Sequence, residues 1–327
     1  MEVSMDLIDI KQVKILLGSA QNCLLGVSGG IDSMVLLHWF ASNRKTLGKN
    51  FTVMYVDHGI HPESPNWGKF VADECAKYNM PVICEKVTLP SDNHNLEYAA
   101  RQARYKAFCQ RGADHLILAH HANDQFECFM LKLFRGSGVK GLKAMNDLTN
   151  CWYDNRTTIV RPMLNITRRQ IEAYAAENQI KFIDDPSNLN LKYDRNYIRN
   201  RVWPVIEERF DIADINAIKS IQHLNEAWEL TCILADLDIK NVRLTDGTLD
   251  WEQIKNLGYL RIKNLIMRIL DLENVYSFSI GHIEQFAQGL IDADMDSKNE
   301  LYLKGFKMKK IGKRIFIECQ PNIKVAA

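Results

Sequence analysis

The sequence predicts an α/β fold: a doubly wound parallel sheet followed by a second, smaller, mainly helical domain. Short apolar runs alternate with amphipathic stretches four times in the first half of the chain, which is the pattern of strand–helix units in series. A glycine-rich turn links the first apolar run directly to the first helix. The length of 327 residues, at roughly 150 per domain, allows about two domains.

Taken in order, Cys23–Val27 reads as a buried strand and about Ser33 to Ala41 as the helix after it. Phe51–Val56 is the next strand, Asn66–Tyr78 a helix, Val82–Val87 a strand and Asn95–Gln110 a helix. His115–Ala119 and a helix from about His121 to Phe134 complete the fourth unit. Beyond Gly138 the periodicity loosens, with a strand at Thr157–Val160 and a helix over Thr167–Glu177 that Thr167 can cap. From about Asn216 the pattern is helical again, and Leu301–Glu318 alternates apolar and basic residues as a small β element does. The domain boundary is placed near 215, giving domains 1–215 and 216–327.

At 46% hydrophobic and 25% charged residues the chain has globular composition. No apolar run approaches the ~18 residues of a membrane helix, so no membrane partner is expected. The acidic residues Glu2 and Asp6 argue against a signal peptide. Eight cysteines without a C-x-x-C pair read as thiols of a reducing cytoplasm, and no clustered set for zinc or iron–sulfur is apparent. The net charge of +1 hides segregation. Residues 1–130 carry 12 basic and 14 acidic side chains (−2), and residues 131–215 carry 14 and 11 (+3). Residues 216–297 carry 7 and 13 (−6), and residues 298–327 carry 8 and 2 (+6). The basic tail, with Lys307 and Lys310 beside aromatics, is a candidate RNA contact; lysines guarding an edge strand would look similar.

The most informative residues are Ser28, Gly29, Gly30, Ile31, Asp32 and Ser33, where a strand runs through Ser-Gly-Gly into a helix. Glycines permit a tight turn and close approach, and the helix start offers unpaired N–H groups, which together make an anion nest. Asp32 is placed to hold Mg²⁺ bridging phosphates. Neither G-x-x-x-x-G-K-[ST] nor G-x-G-x-x-G is present.

This loop resembles that of the PP-loop ATP pyrophosphatases, which implies an adenine nucleotide alpha hydrolase-like, Rossmann-like sheet and cleavage of ATP between its α and β phosphates. Further blocks follow in order: Val56-Asp57-His58-Gly59, Asn95-Leu96-Glu97, Ala100–Tyr105, Ala119–Glu127, Arg135–Gly138, Arg161–Leu164, Asp185–Asn188 and Tyr193–Arg199. Across about residues 20–205 the series resembles the tRNA(Ile)-lysidine synthetase family. The resemblance implies ATP, L-lysine and a tRNA(Ile) with a CAU anticodon as reactants, forming lysidine at the wobble cytidine through an adenylated intermediate. It also implies a catalytic domain followed by one helical tRNA-recognition domain.

Arg104, or Arg101 one turn earlier, can neutralise the α-phosphate. His121, Asp124 and Glu127 share one side of a helix starting at a strand end, where they can hold Mg²⁺ (Asp124) or the lysine ammonium, or accept a proton. The family often has two consecutive acids where this chain has Asn123 and Asp124, which puts in doubt a metal role for the first position. His58, at another strand end, is a candidate neighbour of the adenine or ribose. Arg195, Asn196, Arg199 and Arg201 lie in a basic, aromatic run whose i, i+4 arginines can grip tRNA phosphates. The sequence admits a homodimer. The competing readings are a 2-thiocytidine-type PP-loop enzyme, disfavoured by the missing C-x-x-C, and a non-catalytic nucleotide-binding module.

Overall fold

The computed structural model describes residues 7–89, 96–154, 156–275 and 277–319. The N-terminal residues on which the signal-peptide reading rests, and Asn95 at the head of an expected helix, lie outside them. The chain divides into two compact units, Met1–Leu224 and Asn225–Ala327.

In the first unit, helix α1 (Ile10–Leu17) precedes β1 (Asn22–Gly26), α2 (Ile31–Leu47), β2 (Asn50–Asp57), α3 (Ser64–Lys77), β3 (Val82–Lys86), α4 (Leu96–Cys109), β4 (His115–Leu118) and α5 (Ala122–Phe134). A short turn, α6 (Val139–Leu142), leads to β5 (Leu148–Asn150), β6 (Thr158–Val160) and α7 (Arg168–Glu177). The unit continues through α8 (Asp194–Tyr197), a π turn at Ile198–Val202, α9 (Trp203–Arg209) and the first turns of the long α10 (Ala213–Val242).

The six strands lie in the order β3-β2-β1-β4-β6-β5. β1 pairs in parallel with β2 and β4, β2 with β3, and β4 with β6; β5 alone runs antiparallel, on β6. The expected parallel sheet is present. Its central strand is buried on both faces: Leu25 and Leu37 sit in the core shared with α1, α2 and α7, and Leu24 packs with Tyr105 and Phe108 of α4 on the other side. Burial on both faces is why β1 reads as a continuous apolar run rather than an alternation. Thr167 caps α7 as expected, accepting the Gln170 N–H, while the Gln170 side chain accepts the Thr167 N–H at 2.9 Å.

The second unit has its own core. α12 (Tyr259–Leu272) buries Ile262, Leu265, Ile266 and Ile269, the i, i+3, i+4, i+7 stripe of an amphipathic helix. It packs with α11 (Trp251–Asn256), α13 (Ile280–Asp292) and an antiparallel sheet ordered β7 (Leu249–Asp250), β10 (Arg314–Cys319), β9 (Phe306–Ile311), β8 (Asn299–Leu303). The basic tail is therefore structural as well as charged. Leu301, Phe306, Met308 and Ile315 are buried in this core, so removing residues 298–327 would take the core apart rather than trim a surface. Among the described residues no helix is long and apolar enough to cross a membrane.

Candidate active site

β1 has β2 on one side and β4 on the other, so the chain leaves the middle of the sheet in both directions. A crevice opens at such a switch point, beyond the carboxyl ends of the strands. The Ser28–Ser33 loop fills it. Gly26 closes β1 where a Cβ would lie 2.7 Å from Leu118 Cδ2, and Gly29 turns the loop at φ +93°, under the side chain of Ile183. Ser33 Oγ accepts the N–H groups of Ser28 and Gly29, both at 3.2 Å, and donates to the Gly30 carbonyl at 2.8 Å. No side chain caps α2, whose N-cap is Gly30, so its first N–H groups face the crevice with the positive end of the helix dipole behind them. That geometry is suited to cradling a phosphate.

Asp32 is in the first turn of α2 and lines a cavity of about 850 Å³ with Gly30, Ile31, His121 and Glu127. His121 ends the β4 connection and is the N-cap of α5, where its Nδ1 accepts the Asn123 N–H at 3.3 Å and its own N–H goes to Asp124 Oδ2 at 2.9 Å. Its Nε2 stands 3.6 Å from Asp32 Oδ1 and 3.6 Å from Asp124 Oδ2. The imidazole thus joins the phosphate loop to the acidic helix.

Asp124 and Glu127 form a buried ion cluster with Arg195 and Arg199. Asp124 Oδ1 accepts from Arg195 Nη2 at 2.6 Å and Arg199 Nη2 at 3.2 Å; the Glu127 carboxylate takes Arg195 Nε and Arg199 Nε, each at 2.6 Å. Burial opposes ionisation of Asp124, but His121 and Arg195, with His120 and Arg199 beyond them, outweigh it and hold the carboxyl well below the usual carboxylate range. Two readings change here. Arg195 and Arg199 do share a helix face, as their spacing predicts, and that face meets the acids of α5. Asn196 is also committed, donating to the Ser187 and Asn190 carbonyls at 3.1 and 3.0 Å. Arg201 is exposed. As a metal ligand Asp124 fits poorly, because it is buried, does not line the cavity and is bound by two guanidiniums and a backbone N–H. Asp32 fits Mg²⁺ better: it is a partly exposed carboxylate beside the phosphate cradle, and Mg²⁺ ordinarily takes one or two carboxylates together with phosphate oxygens.

His58 and His120 follow β2 and β4, the two strands flanking β1, and each has a buried Nδ1 without a hydrogen-bond partner among the described residues. Burial, reinforced by the Arg104 charge, pushes His58 down to about 4. Burial likewise takes His120 down to about 3, aided by Arg161, Arg195 and Arg101 against the pull of Asp124. Of the two arginines of α4, the Arg104 charge is felt at His58 and the Arg101 charge at His120, and neither side chain is among the residues lining the cavity. Arg101 also lies over the Tyr105 ring, 4.8 Å from its centroid. Both histidines are neutral in the fold but titrate near 6.5 when unfolded. Between pH 6.5 and about 4 the unfolded chain binds more protons, so stability, complete above 6.5, falls as pH drops. His120→Asn should flatten that loss when melting temperatures at pH 7.5 and pH 5 are compared.

Lys310 corrects the reading of the tail. The alternation Phe306, Met308, Lys310 points inward along β9, and Lys310 is fully buried, its Nζ donating to the carbonyls of Asp294, Met295 and Ser297 at 2.6, 3.1 and 3.0 Å. It ties down the loop between α13 and β8, and its buried ammonium cannot reach RNA. Lys307 lies 4.3 Å from the Tyr302 ring centroid and 3.9 Å from Glu300, while Lys309, Lys313 and Arg314 pair with Glu318, Glu252 and Asp246. Much of the tail's excess charge is neutralised locally. Lys310→Met should cost the second unit about 2–3 kcal/mol by stranding three carbonyls, visible as a lower melting temperature, with ATP affinity unchanged.

The fold brings together one cysteine set that the sequence does not show. Cys109 and Cys151 Sγ atoms are 3.0 Å apart with Asp154 beside them. Asp154 already accepts from the N–H groups of Arg156 and Thr157, and the group sits at the start of β6, away from the crevice.

The sheet order, the glycine-turned loop and the Asp32–His121 constellation define a PP-loop nucleotide-binding domain, and the PP-loop domain family matches residues 5–206. The chain is 33% identical to the tRNA(Ile)-lysidine synthase of Haemophilus ducreyi, over 91% of this chain and 69% of that protein. It is 34% identical to the enzyme of the same name from Actinobacillus pleuropneumoniae serotype 3, over 91% and 70%. The chain belongs to the tRNA(Ile)-lysidine synthase family, whose members are ATP-using ligases. The U34-tRNA thiolase NcsA from Methanococcus maripaludis has a similar fold, with a TM-score of 0.53 at 17% identity over 66% of this chain and 80% of that one.

Proposed function

We propose that this protein forms lysidine: it uses ATP to activate the wobble cytidine of tRNA(Ile) with a CAU anticodon and ligates free lysine to C2 of that base, releasing AMP and pyrophosphate. The observation that carries the reading is the phosphate cradle of residues 28–33 opening into the same cavity as the Asp32–His121–Glu127 wall. Family membership supplies the substrate class.

In the first step the C2 carbonyl oxygen attacks the α-phosphorus of ATP and pyrophosphate leaves. A carbonyl oxygen is a weak nucleophile, so the protein's part is positioning and charge neutralisation. The N–H groups at the start of α2 hold the phosphates, and Arg104 or Arg101 of α4 meets the α-phosphate. Asp32 would hold Mg²⁺, which when bound neutralises phosphate charge. The Nδ1 atoms of His58 and His120, without a partner among the described residues, are the groups free to read the adenosine.

In the second step the lysine ε-amine attacks C2 and AMP departs. Free lysine at neutral pH carries two ammonium groups and a carboxylate. Glu127 and Arg199, the members of the ion cluster that line the cavity, offer complementary partners for such a molecule, and the ε-nitrogen must shed a proton before attack. A carboxylate of the cavity wall accepts it, while His121, its Nδ1 already taken by the Asn123 N–H, keeps its proton on Nε2 between Asp32 and Asp124 and orients both.

The test is tRNA-dependent pyrophosphate release followed by incorporation of labelled lysine. Release and incorporation in equal amounts are expected with tRNA(Ile) bearing CAU, and neither with a tRNA whose wobble base is uridine. Release without lysine incorporation would reduce the assignment to an adenylating enzyme.

A further inference from the structure

Arg168 has no part in the steps above, yet its guanidinium is bonded to Asp32 of the phosphate loop. It occupies the first position of α7, behind the Thr167 cap, and its backbone N–H donates to Asn123 Oδ1 at 3.0 Å. This bond fastens α7 to the first turn of α5 at the position where the family often carries an acid. An uncharged amide supplies the acceptor, so no extra carboxylate competes for the guanidinium there. The side chain is then held at two points: Nη1 donates to both Asp32 oxygens, at 2.8 and 3.1 Å, and Nε donates to Glu172 at 2.7 Å. Nη2 has no partner among the described residues, and the side chain lines the same cavity as Gly30, Ile31 and Asp32. Its neighbour Arg169 is spent differently, donating to Glu207 at 2.8 Å.

We propose that Arg168 is a nucleotide-site residue that binds the β- and γ-phosphates of ATP, the part that leaves as pyrophosphate, while keeping the Asp32 carboxylate oriented beside the phosphate cradle. The inference rests on the ATP-dependent reading above. A guanidinium suits the task because its fork sends N–H groups in separate fixed directions, two to carboxylates and one toward the phosphates; a lysine ammonium has no such preset geometry. Negative charge accumulates on the departing pyrophosphate as the α–β bond breaks, and a pre-positioned cation at that end stabilises the change without reorganisation. Asp32 and Arg168 are both partly exposed, so the pair itself adds little to folding stability.

The test compares wild type, Arg168→Met and Arg168→Lys by calorimetric titration with the Mg²⁺ complex of α,β-methylene-ATP and, separately, with AMP. Loss of a charge-assisted contact to phosphate should weaken the triphosphate analogue about tenfold to a hundredfold in Arg168→Met, with AMP affinity unchanged. Arg168→Lys should fall between. An unchanged affinity for the analogue, or an equal loss for AMP, overturns the proposal. Melting temperatures near wild type establish that the variants are folded, and Arg168→Gln replaces Arg168→Met if that one is not. Neither titration needs tRNA or lysine, so failure of lysine transfer would sink the functional reading without deciding this one. Wild-type protein that bound neither nucleotide would overturn the ATP reading itself.

Discussion

Asp32→Asn should abolish pyrophosphate release, by about a thousandfold or more, while leaving the protein folded. The size of the effect follows from what the carboxylate faces. It sits in the first turn of α2, against the phosphate cradle, with Arg168 Nη1 on both oxygens and His121 Nε2 at 3.6 Å. The amide keeps the shape but removes the negative charge that would hold Mg²⁺ and balance Arg168, so the nucleotide loses its bridging cation at the point where charge develops. About 4 kcal/mol of transition-state stabilisation corresponds to that thousandfold. The cost to folding is small, under about 1 kcal/mol, because the Asp32–Arg168 pair is partly solvated. Coupled-assay pyrophosphate release together with a thermal melt checks both halves. Activity within tenfold of wild type would remove Asp32 from the phosphate–Mg²⁺ role, and a collapsed melt would make the residue structural.

What the sequence discloses follows from which interactions are local. β1, β2 and β4 are legible because strands inside a parallel sheet are short apolar runs, and the loop at β1 must use glycine; the expected elements from β1 to α5 match the observed ones to within a few residues at most ends. β5 is missed because Leu148-Thr149-Asn150 is three exposed residues on a sheet edge, with neither burial nor turn chemistry to mark it. The spacing of Arg195 and Arg199 discloses a shared face, but its partners lie about seventy positions earlier in the chain, where Asp124 and Glu127 are themselves one turn apart. Each half of that cluster is readable and the pairing is not, since only the fold joins α5 to α8 and the π turn. Arg168 is hidden for a similar reason. Locally it is the first residue of an ordinary capped helix, and its importance comes from Asp32, far earlier in sequence. Lys310 is the opposite case: the period-two pattern already puts it on the inward side of β9, and only its charge suggests otherwise.

Glu127→Ala should be the most destabilising single change in the catalytic unit. Glu127 is 2% exposed and takes Nε of both arginines at 2.6 Å, with Arg199 Nη2 bonding a second time at 3.1 Å. Alanine leaves two guanidiniums facing Asp124 alone, with net positive charge in a buried site. Breaking such a cluster by removing one partner costs about 3–5 kcal/mol, much of it the penalty of the charge left unpaired. In a unit of this size that is roughly a 10 °C fall in melting temperature. Removing the opposing charge as well should recover part of the loss: Glu127→Ala combined with Arg199→Met restores charge balance and should melt above the single variant. Function separates the two contributions. If the wall also receives lysine, the double variant regains stability and not lysine incorporation, while tRNA-dependent pyrophosphate release returns with the fold. Recovery of both activities would make the cluster a structural brace, and a Glu127→Ala protein as stable as wild type would mean that the buried pairing contributes nothing to the fold.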